Sequence, residues 1–92
     1  MATLDDADIE EAVGHLDWDR DGDELVKVVT KANFAEAMQF VNGVATMAES
    51  VNHHPDIAIS WNKVTLRLST HSEGGITQAD IDLAAGIDGL TA

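Results

Sequence analysis

The sequence predicts an α+β fold in which a long helix separates two β-hairpins. Residues 33–52 carry apolar side chains at helical spacing. Two other segments, 18–31 and 57–71, are rich in β-branched residues, and each contains a turn signal. Helical patterns also stand near both ends of the chain. The expected order is therefore α-β-β-α-β-β-α, with a four-stranded antiparallel or mixed sheet that helices cover on one face.

The first part of the chain is expected to form a helix followed by a hairpin. Thr3 can cap a helix that runs from about Leu4 to Val13. Trp18 then begins a short strand, and the Asp-Gly pair at 21–22 favours a tight turn because both residues tolerate positive φ. Residues 25–31 form the returning strand.

The long helix, residues 33–52, is expected to start at an Asn33 cap with Glu36 in the capping-box position. Two apolar stripes follow it: Phe34, Ala37, Met38, Val41, Ala45 and Ala48, and beside them Phe40, Val44, Met47 and Val51. This surface exceeds what one small sheet can cover, so the helix is expected to form a subunit interface. A wide core face is the alternative. Pro55 is expected to end the helix and turn the chain into the third strand.

A two-residue turn at Asn62-Lys63 would put six apolar residues on one face of the second hairpin. The predicted pairs are Trp61 with Val64, Ile59 with Leu66 and Ile57 with Leu68. His71 would then end the last strand on its polar side. Thr77 caps a final helix that runs to about Leu90, with Asp80 at the capping-box position.

Composition narrows the function further. The 92 residues, 45% of them hydrophobic, are expected to form a single globular domain, 1–92. A net charge of −12 repels phosphate backbones, so no direct nucleic-acid binding is expected. The absence of cysteine excludes disulfides and thiolate metal sites. Without a membrane-length apolar run or an export signal, no membrane association and a cytoplasmic location are expected.

Histidines and carboxylates supply the candidate catalytic groups. His53 and His54 are neighbours at the end of the long helix, His71 ends a strand, and Asp80 lies one turn into the last helix. Imidazoles suit general acid–base catalysis because their ordinary pKa lies near neutral pH. Glu49 stands one helical turn before His53 and could orient its ring, or it could be an ordinary solvated residue.

These residues together resemble the pterin-4a-carbinolamine dehydratase family. The matching motifs are Glu49, His53-His54-Pro55, Trp61-Asn62-Lys63-Val64, Ser69-Thr70-His71 and Gly75-Ile76-Thr77 with Asp80. Their spacing, 17 residues from His54 to His71 and 9 from His71 to Asp80, is similar to that of the family. Trp18 also resembles a family tryptophan that follows the first helix.

The resemblance implies a hydro-lyase that assembles into dimers or tetramers. Its expected reaction is dehydration of 4a-hydroxytetrahydropterin to quinonoid dihydropterin, which recycles the cofactor of aromatic amino-acid hydroxylases. The resemblance implies catalytic roles for His53, His54, His71 and Asp80. It leaves Glu49, Pro55 and Trp18 as candidates for orienting groups or for lining the pterin pocket. No metal and no further cofactor are implied.

Two other functions compete with this one. The first is a metal site built from His53 or His54 with His71 and Asp80, although adjacent histidines converge poorly on one ion. The second is a protein-binding module without catalysis, because some members of the family bind dimeric homeodomain transcription factors through their helical surface. The intact set of histidines favours the enzyme.

Overall fold

The computed structural model describes residues 2–91, which contain three α-helices and four strands. In chain order these are α1 (Asp6–Val13), β1 (Asp19–Asp21), β2 (Glu24–Thr30), α2 (Phe34–Val51), β3 (Asp56–Ser60), β4 (Lys63–Leu68) and α3 (Gln78–Thr91). A short 3₁₀ turn, His71–Glu73, precedes α3. The predicted order α-β-β-α-β-β-α is confirmed. In the described part of the chain, no helix is both long and apolar enough to traverse a bilayer.

The four strands form one antiparallel sheet in the order β1-β2-β4-β3. The antiparallel alternative of the prediction is therefore the correct one. The two hairpins meet in the centre of the sheet, where β2 and β4 pair from Leu25 opposite Leu68 to Thr30 opposite Lys63. This central pairing brings the end of β4, and with it the segment that leads to α3, beside the first hairpin.

The helices cover one face of the sheet, as predicted. Fully or almost fully buried residues of that layer are Leu25, Val64, Leu66 and Leu68 from the strands, Ala37, Phe40, Val44 and Ala48 from α2, and Leu83, Ala84 and Ile87 from α3. On the other face Val28 is 55% exposed. The sheet therefore has one dry face and one open face, which is common for antiparallel sheets.

The register of the second hairpin differs from the prediction by two residues. Trp61 and Asn62 form the turn, so that Ile59 pairs with Val64. Trp61 adopts a positive φ of 53°, and the Asn62 side chain donates to the carbonyl of Lys31 at 2.9 Å. That bond ties the turn to the end of β2 and fixes its position. A shift of two residues keeps every strand side chain on its predicted face.

α1 begins later than predicted because a different residue caps it. The Asp5 carboxylate accepts the N–H of Asp8 at 2.9 Å, so Asp5 is the N-cap rather than Thr3. The N–H of Leu4 donates instead to the carbonyl of Ile76 at 2.9 Å. This bond joins the start of the chain to the segment before α3.

α2 begins at its predicted cap, but fewer of its apolar side chains are exposed to solvent than the two stripes suggested. Asn33 accepts the N–H of Glu36 through its side-chain oxygen at 2.9 Å. Val41 and Met47 are partly buried against the core. The exposed large apolar side chains of α2 are Phe34 and Val51, at 51% and 57%, near its two ends.

Candidate active site

The chain leaves α2 through a Schellman motif, which determines where the two adjacent histidines lie. Asn52 adopts the left-handed conformation with φ of 51°, and its N–H bonds to the carbonyl of Glu49 at 3.3 Å. The N–H of His53 bonds to the carbonyl of Ala48 at 3.1 Å. The prediction that Pro55 ends the helix is therefore wrong, because α2 has already ended and the proline only leads into β3.

His53 lies against Asp80, another of the predicted site residues. Its Nε2 is 2.5 Å from Oδ1 of Asp80. The Asp80 side chain is fully buried, whereas 17% of the His53 side chain is exposed. A molecule bound at the site would therefore contact the His53 imidazole, and the buried carboxylate would influence that molecule through the imidazole.

Three donors surround the buried Asp80 carboxylate. Besides His53, the hydroxyl of Thr70 and the N–H of Thr77 each donate to Oδ2 at 2.9 Å. The contact with Thr77 is the carboxylate half of the predicted capping box at the start of α3. The backbone of Thr70 bonds to Gly75 at 2.8 Å, which closes the intervening loop and brings Thr70 to α3. These bonds compensate the cost of burying a charged group.

His54 pairs with Glu49, whereas the sequence predicted that Glu49 would face His53. Nε2 of His54 hydrogen-bonds to the Glu49 carboxylate, and both side chains are exposed. The left-handed turn at Asn52 breaks the helical spacing on which the prediction rested. As a result, His54 meets the side chain from the last turn of α2, and His53 is free to meet Asp80.

His71 lies in the 3₁₀ turn rather than at the end of a strand, because β4 already ends at Leu68. Its side chain is exposed. No hydrogen bond or ion pair within residues 2–91 links its ring to His53 or His54. Its neighbour Thr70 bonds to Asp80, so the backbone brings His71 next to the Asp80 network.

An apolar recess of about 370 Å³ opens between α2 and α3 beside His53. Met47 and Val51 line it from α2, and Leu83 and Gly86 line it from α3. A Cβ atom at Gly86 would stand 2.7 Å from Sδ of Met47, so a larger residue there would displace the end of the flexible Met47 side chain that lines the recess. Two polar residues, His53 and Asp82, also line it, and a mostly apolar recess with a few polar groups is typical of small-molecule sites.

Trp18 and Pro55 occupy different settings. Pro55 is half-buried immediately after the two histidines. Trp18 is only 5% exposed, and its indole N–H donates to Oδ1 of Asp88 at 2.9 Å. Asp88 is eight residues beyond Asp80 on α3, about 12 Å along the helix axis. Trp18 thus packs near the far end of α3.

Within residues 2–91, no group of three or more His, Asp or Glu side chains has an arrangement that could hold a metal ion. Four candidate residues form two separate contacts, His53 with Asp80 and His54 with Glu49, and the fifth, His71, is exposed.

Sequence reasoning missed the part that Thr70 takes in the site. Thr77 was identified as a helix cap, but its hydroxyl is also 2.8 Å from that of Thr70. The spacing of Thr70, Thr77 and Asp80 carries no signal by itself, because the contact depends on the bridge between Thr70 and Gly75.

Comparison with known proteins identifies the family to which this arrangement belongs. The model of a family described as pterin 4 alpha carbinolamine dehydratase matches residues 2–90. The chain belongs to the pterin 4 alpha carbinolamine dehydratase family. This membership confirms the family predicted from the histidine motifs, and with it the expected class of enzyme, a hydro-lyase of the dehydratase type.

Bacterial relatives of this dehydratase family match nearly the whole chain. A protein of Roseiflexus castenholzii is 53% identical over 88 residues, which cover 95% of each chain. A protein of Thermomicrobium roseum is 53% identical over 85 residues, which cover 91% of each chain. Both are named "Putative pterin-4-alpha-carbinolamine dehydratase".

Two solved structures share the fold. One, described as a transcriptional coactivator/pterin dehydratase from Brucella melitensis, has a TM-score of 0.93 at 28% identity and covers 98% of this chain and 99% of its own. The other, a pterin dehydratase-like protein identified as a RuBisCO assembly factor in the alpha-carboxysome, has a TM-score of 0.65 at 22% identity. It covers 82% of this chain and 87% of its own, and it shows the fold alone.

Proposed function

We propose that this chain dehydrates 4a-hydroxytetrahydropterin to quinonoid dihydropterin by histidine acid–base catalysis, and so takes part in recycling a pterin cofactor. The observation that carries the proposal is the His53 imidazole held by a buried Asp80 at the edge of an apolar recess. Because the chain belongs to the dehydratase family, we assign the His53–Asp80 pair to the dehydration reaction. The cytoplasmic location stays a prediction.

The reaction needs one acid and one base and transfers no electrons. The 4a-hydroxyl takes a proton and leaves as water, while the N5 proton passes to the base and the new C=N bond forms. Imidazoles serve in both roles near neutral pH, and each such group typically contributes about 10²–10⁴-fold. We assign these roles to His53, His54 and His71, with Asp80 acting through His53 and Glu49 through His54.

The recess offers room for the substrate ring system. Its volume of about 370 Å³ is in the range of small-molecule sites, and its apolar walls suit the faces of a flat bicyclic ring. His53 would then meet the ring edge from the rim of the recess. Pro55, which directly follows the two histidines, is proposed to shape this rim, and for Trp18 a pocket role stays a prediction.

Stopped-flow measurement of dehydration, with freshly made 4a-hydroxytetrahydropterin, tests the proposed function. We expect the protein to accelerate the reaction over buffer, and the rate to fall at least about tenfold in folded His54→Ala and His71→Ala variants. His15→Ala is the matched control, because His15 is exposed and lies outside the site. A wild-type rate equal to that of buffer would remove the enzyme proposal.

A protein-binding role is the second candidate, and one observation favours it. The Brucella melitensis relative, with a TM-score of 0.93, is described as a transcriptional coactivator as well as a pterin dehydratase. Such a role would survive the loss of the histidines. Binding activity retained in a His53→Ala variant that no longer dehydrates the pterin would separate the two functions.

We also propose that the chain forms a homodimer or homotetramer through the long helix, residues 33–52. Ala45 is exposed in the middle of α2, and Phe34 and Val51 are exposed near its ends. Sedimentation of the 9.8 kDa chain should show an assembly that Ala45→Glu weakens. Ala85→Glu, at an exposed alanine of α3, should leave it intact. A strict monomer would contradict this proposal.

A further inference from the structure

The buried carboxylate of Asp80 ends a chain of hydrogen bonds that begins at Thr77. The Thr77 and Thr70 hydroxyls are 2.8 Å apart, and the Thr70 hydroxyl donates to Oδ2 of Asp80 at 2.9 Å. The other oxygen of the carboxylate, Oδ1, is 2.5 Å from Nε2 of His53. Two threonines, one aspartate and one histidine therefore form a continuous polar line, in which Thr77 and Asp80 are buried and Thr70 and His53 are partly exposed.

The direction of each bond follows from the protons available. A threonine hydroxyl has one proton, and Thr70 gives its proton to Asp80. The bond between the two hydroxyls must then be donated by Thr77. Because Oδ2 also accepts the N–H of Thr77 at 2.9 Å, this oxygen is fully engaged as an acceptor. All the dipoles therefore point at the carboxylate and strengthen one another.

The acceptor character of the Asp80 carboxylate determines the tautomer of His53. Asp80, as a carboxylate, can only accept, so Nε2 of His53 must carry the proton of their shared bond. Nδ1 is then the nitrogen with the free lone pair in the neutral ring. It has no hydrogen-bond partner among residues 2–91, and no described side-chain nitrogen is buried without one, so Nδ1 is open to solvent.

We propose that Thr70 is a positioning residue for the dehydration. Its hydroxyl orients Asp80, which keeps the His53 proton on Nε2 and leaves Nδ1 to exchange protons with the substrate. The catalytic part of this inference rests on the proposed function, whereas the tautomer part does not. Thr77 contributes to the same arrangement, because its hydroxyl donates to the hydroxyl of Thr70.

The test compares Thr70→Val, which replaces the hydroxyl by a methyl group of similar shape, with Thr70→Ser, which keeps the hydroxyl. Nitrogen-15 NMR of the His53 ring at alkaline pH, without pterin, reports the tautomer. We expect the Nε2–H form in wild type and Thr70→Ser, and a mixture of both tautomers in Thr70→Val. In the stopped-flow assay we expect kcat to fall about tenfold in Thr70→Val and to be retained in Thr70→Ser, with KM little changed in either.

Two results would overturn the proposal: a wild-type tautomer in Thr70→Val, or equal losses of kcat in Thr70→Val and Thr70→Ser. If Thr70→Val does not fold, Thr70→Ala takes its place, because it removes the hydroxyl without placing a methyl group against the carboxylate. A wild-type protein that does not accelerate dehydration would remove the proposed function. The tautomer comparison, made without substrate, would still decide whether Thr70 positions His53.

Discussion

At the scale of single residues, Asp80 links the start of a helix to the candidate chemistry. One of its oxygens accepts the N–H of Thr77 at the first turn of α3, and the other meets His53. The first contact followed from the sequence, because a carboxylate three residues after a threonine is a capping-box signal. The second did not, since it depends on a left-handed turn at Asn52 and a bridge at Thr70 that bring distant segments together.

Asp80→Asn should therefore reduce both stability and activity. The three groups that donate to Asp80 would then face an amide, in which an NH₂ donor replaces one acceptor oxygen. We therefore expect the free energy of unfolding to fall by about 1.5–3 kcal/mol. Dehydration should slow as well, since His53 loses its orienting acceptor. Asp82→Asn is the matched control for stability, because the exposed Asp82 accepts from Gln78 alone among residues 2–91. Chemical denaturation measures both variants, and equal stabilities would contradict this account of Asp80.

At the scale of secondary-structure elements, helix ends rather than helix bodies determine the site. The body and cap of α2 were predictable from apolar spacing and Asn33. The place where it ends was also predicted, since the range 33–52 agrees with the C-cap at Asn52, but the cause was not, because no periodicity reveals the left-handed conformation of Asn52. The second hairpin was also predicted in part. Its alternation gave the correct faces, but the turn lies one residue earlier than predicted, where Asn62 bonds to Lys31, and the strand pairing therefore differs by two residues.

Substitutions at Asn52 test this control of the helix end. Asn52→Ala should cost about 1 kcal/mol of stability, because alanine tolerates the left-handed conformation poorly, whereas Asn52→Gly should be close to wild type. Dehydration should fall in the alanine variant, since His53 and His54 both follow the turn. Thermal unfolding and the stopped-flow assay give the two readouts. A glycine variant as unstable as the alanine variant would rule out a conformational cause.

A second link between elements, the ion pairs of Lys27, should weaken at high pH. Burial alone lowers the pKa of Lys27, but hydrogen bonds and charges from Asp88 and Asp17 outweigh it and raise the pKa above 10.5. The cation is favoured by folding, so its contribution is fully present below pH 10.5 and is lost as pH rises through the higher folded pKa. Unfolding measured from pH 9 upwards should show a steeper decline in wild type than in Lys27→Gln. Lys63→Gln, at an exposed lysine, should decline like wild type.

At the scale of the whole molecule, a small core on one face of the sheet is combined with a large negative net charge of the chain. The chain has 17 acidic and five basic residues, and of the latter Arg20 and Arg67 each pair with two carboxylates. Composition predicted this charge, and periodicity predicted which face of the sheet the helices cover. The order of strands in the sheet could not be read from local patterns, because it depends on the pairing of β2 with β4 across the intervening α2.

Added KCl should stabilise the protein, because screening weakens the repulsion among its carboxylates. We expect the free energy of unfolding to increase steadily as KCl is added. Asp19 and Asp23 are exposed and form no ion pair within residues 2–91, so the double variant Asp19→Asn, Asp23→Asn should depend less on salt. Stability that does not rise with KCl would contradict the role given to self-repulsion.

The most direct test of the proposed function is the dehydration rate of a folded His53→Ala variant, with fresh 4a-hydroxytetrahydropterin. His53 is the residue that joins the buried Asp80 to the recess, so its loss removes the group on which the mechanism depends. We predict that kcat/KM falls about 10²–10⁴-fold relative to wild type, while His15→Ala keeps the wild-type value. A His53→Ala variant as fast as wild type would contradict the assignment of His53 to the chemistry.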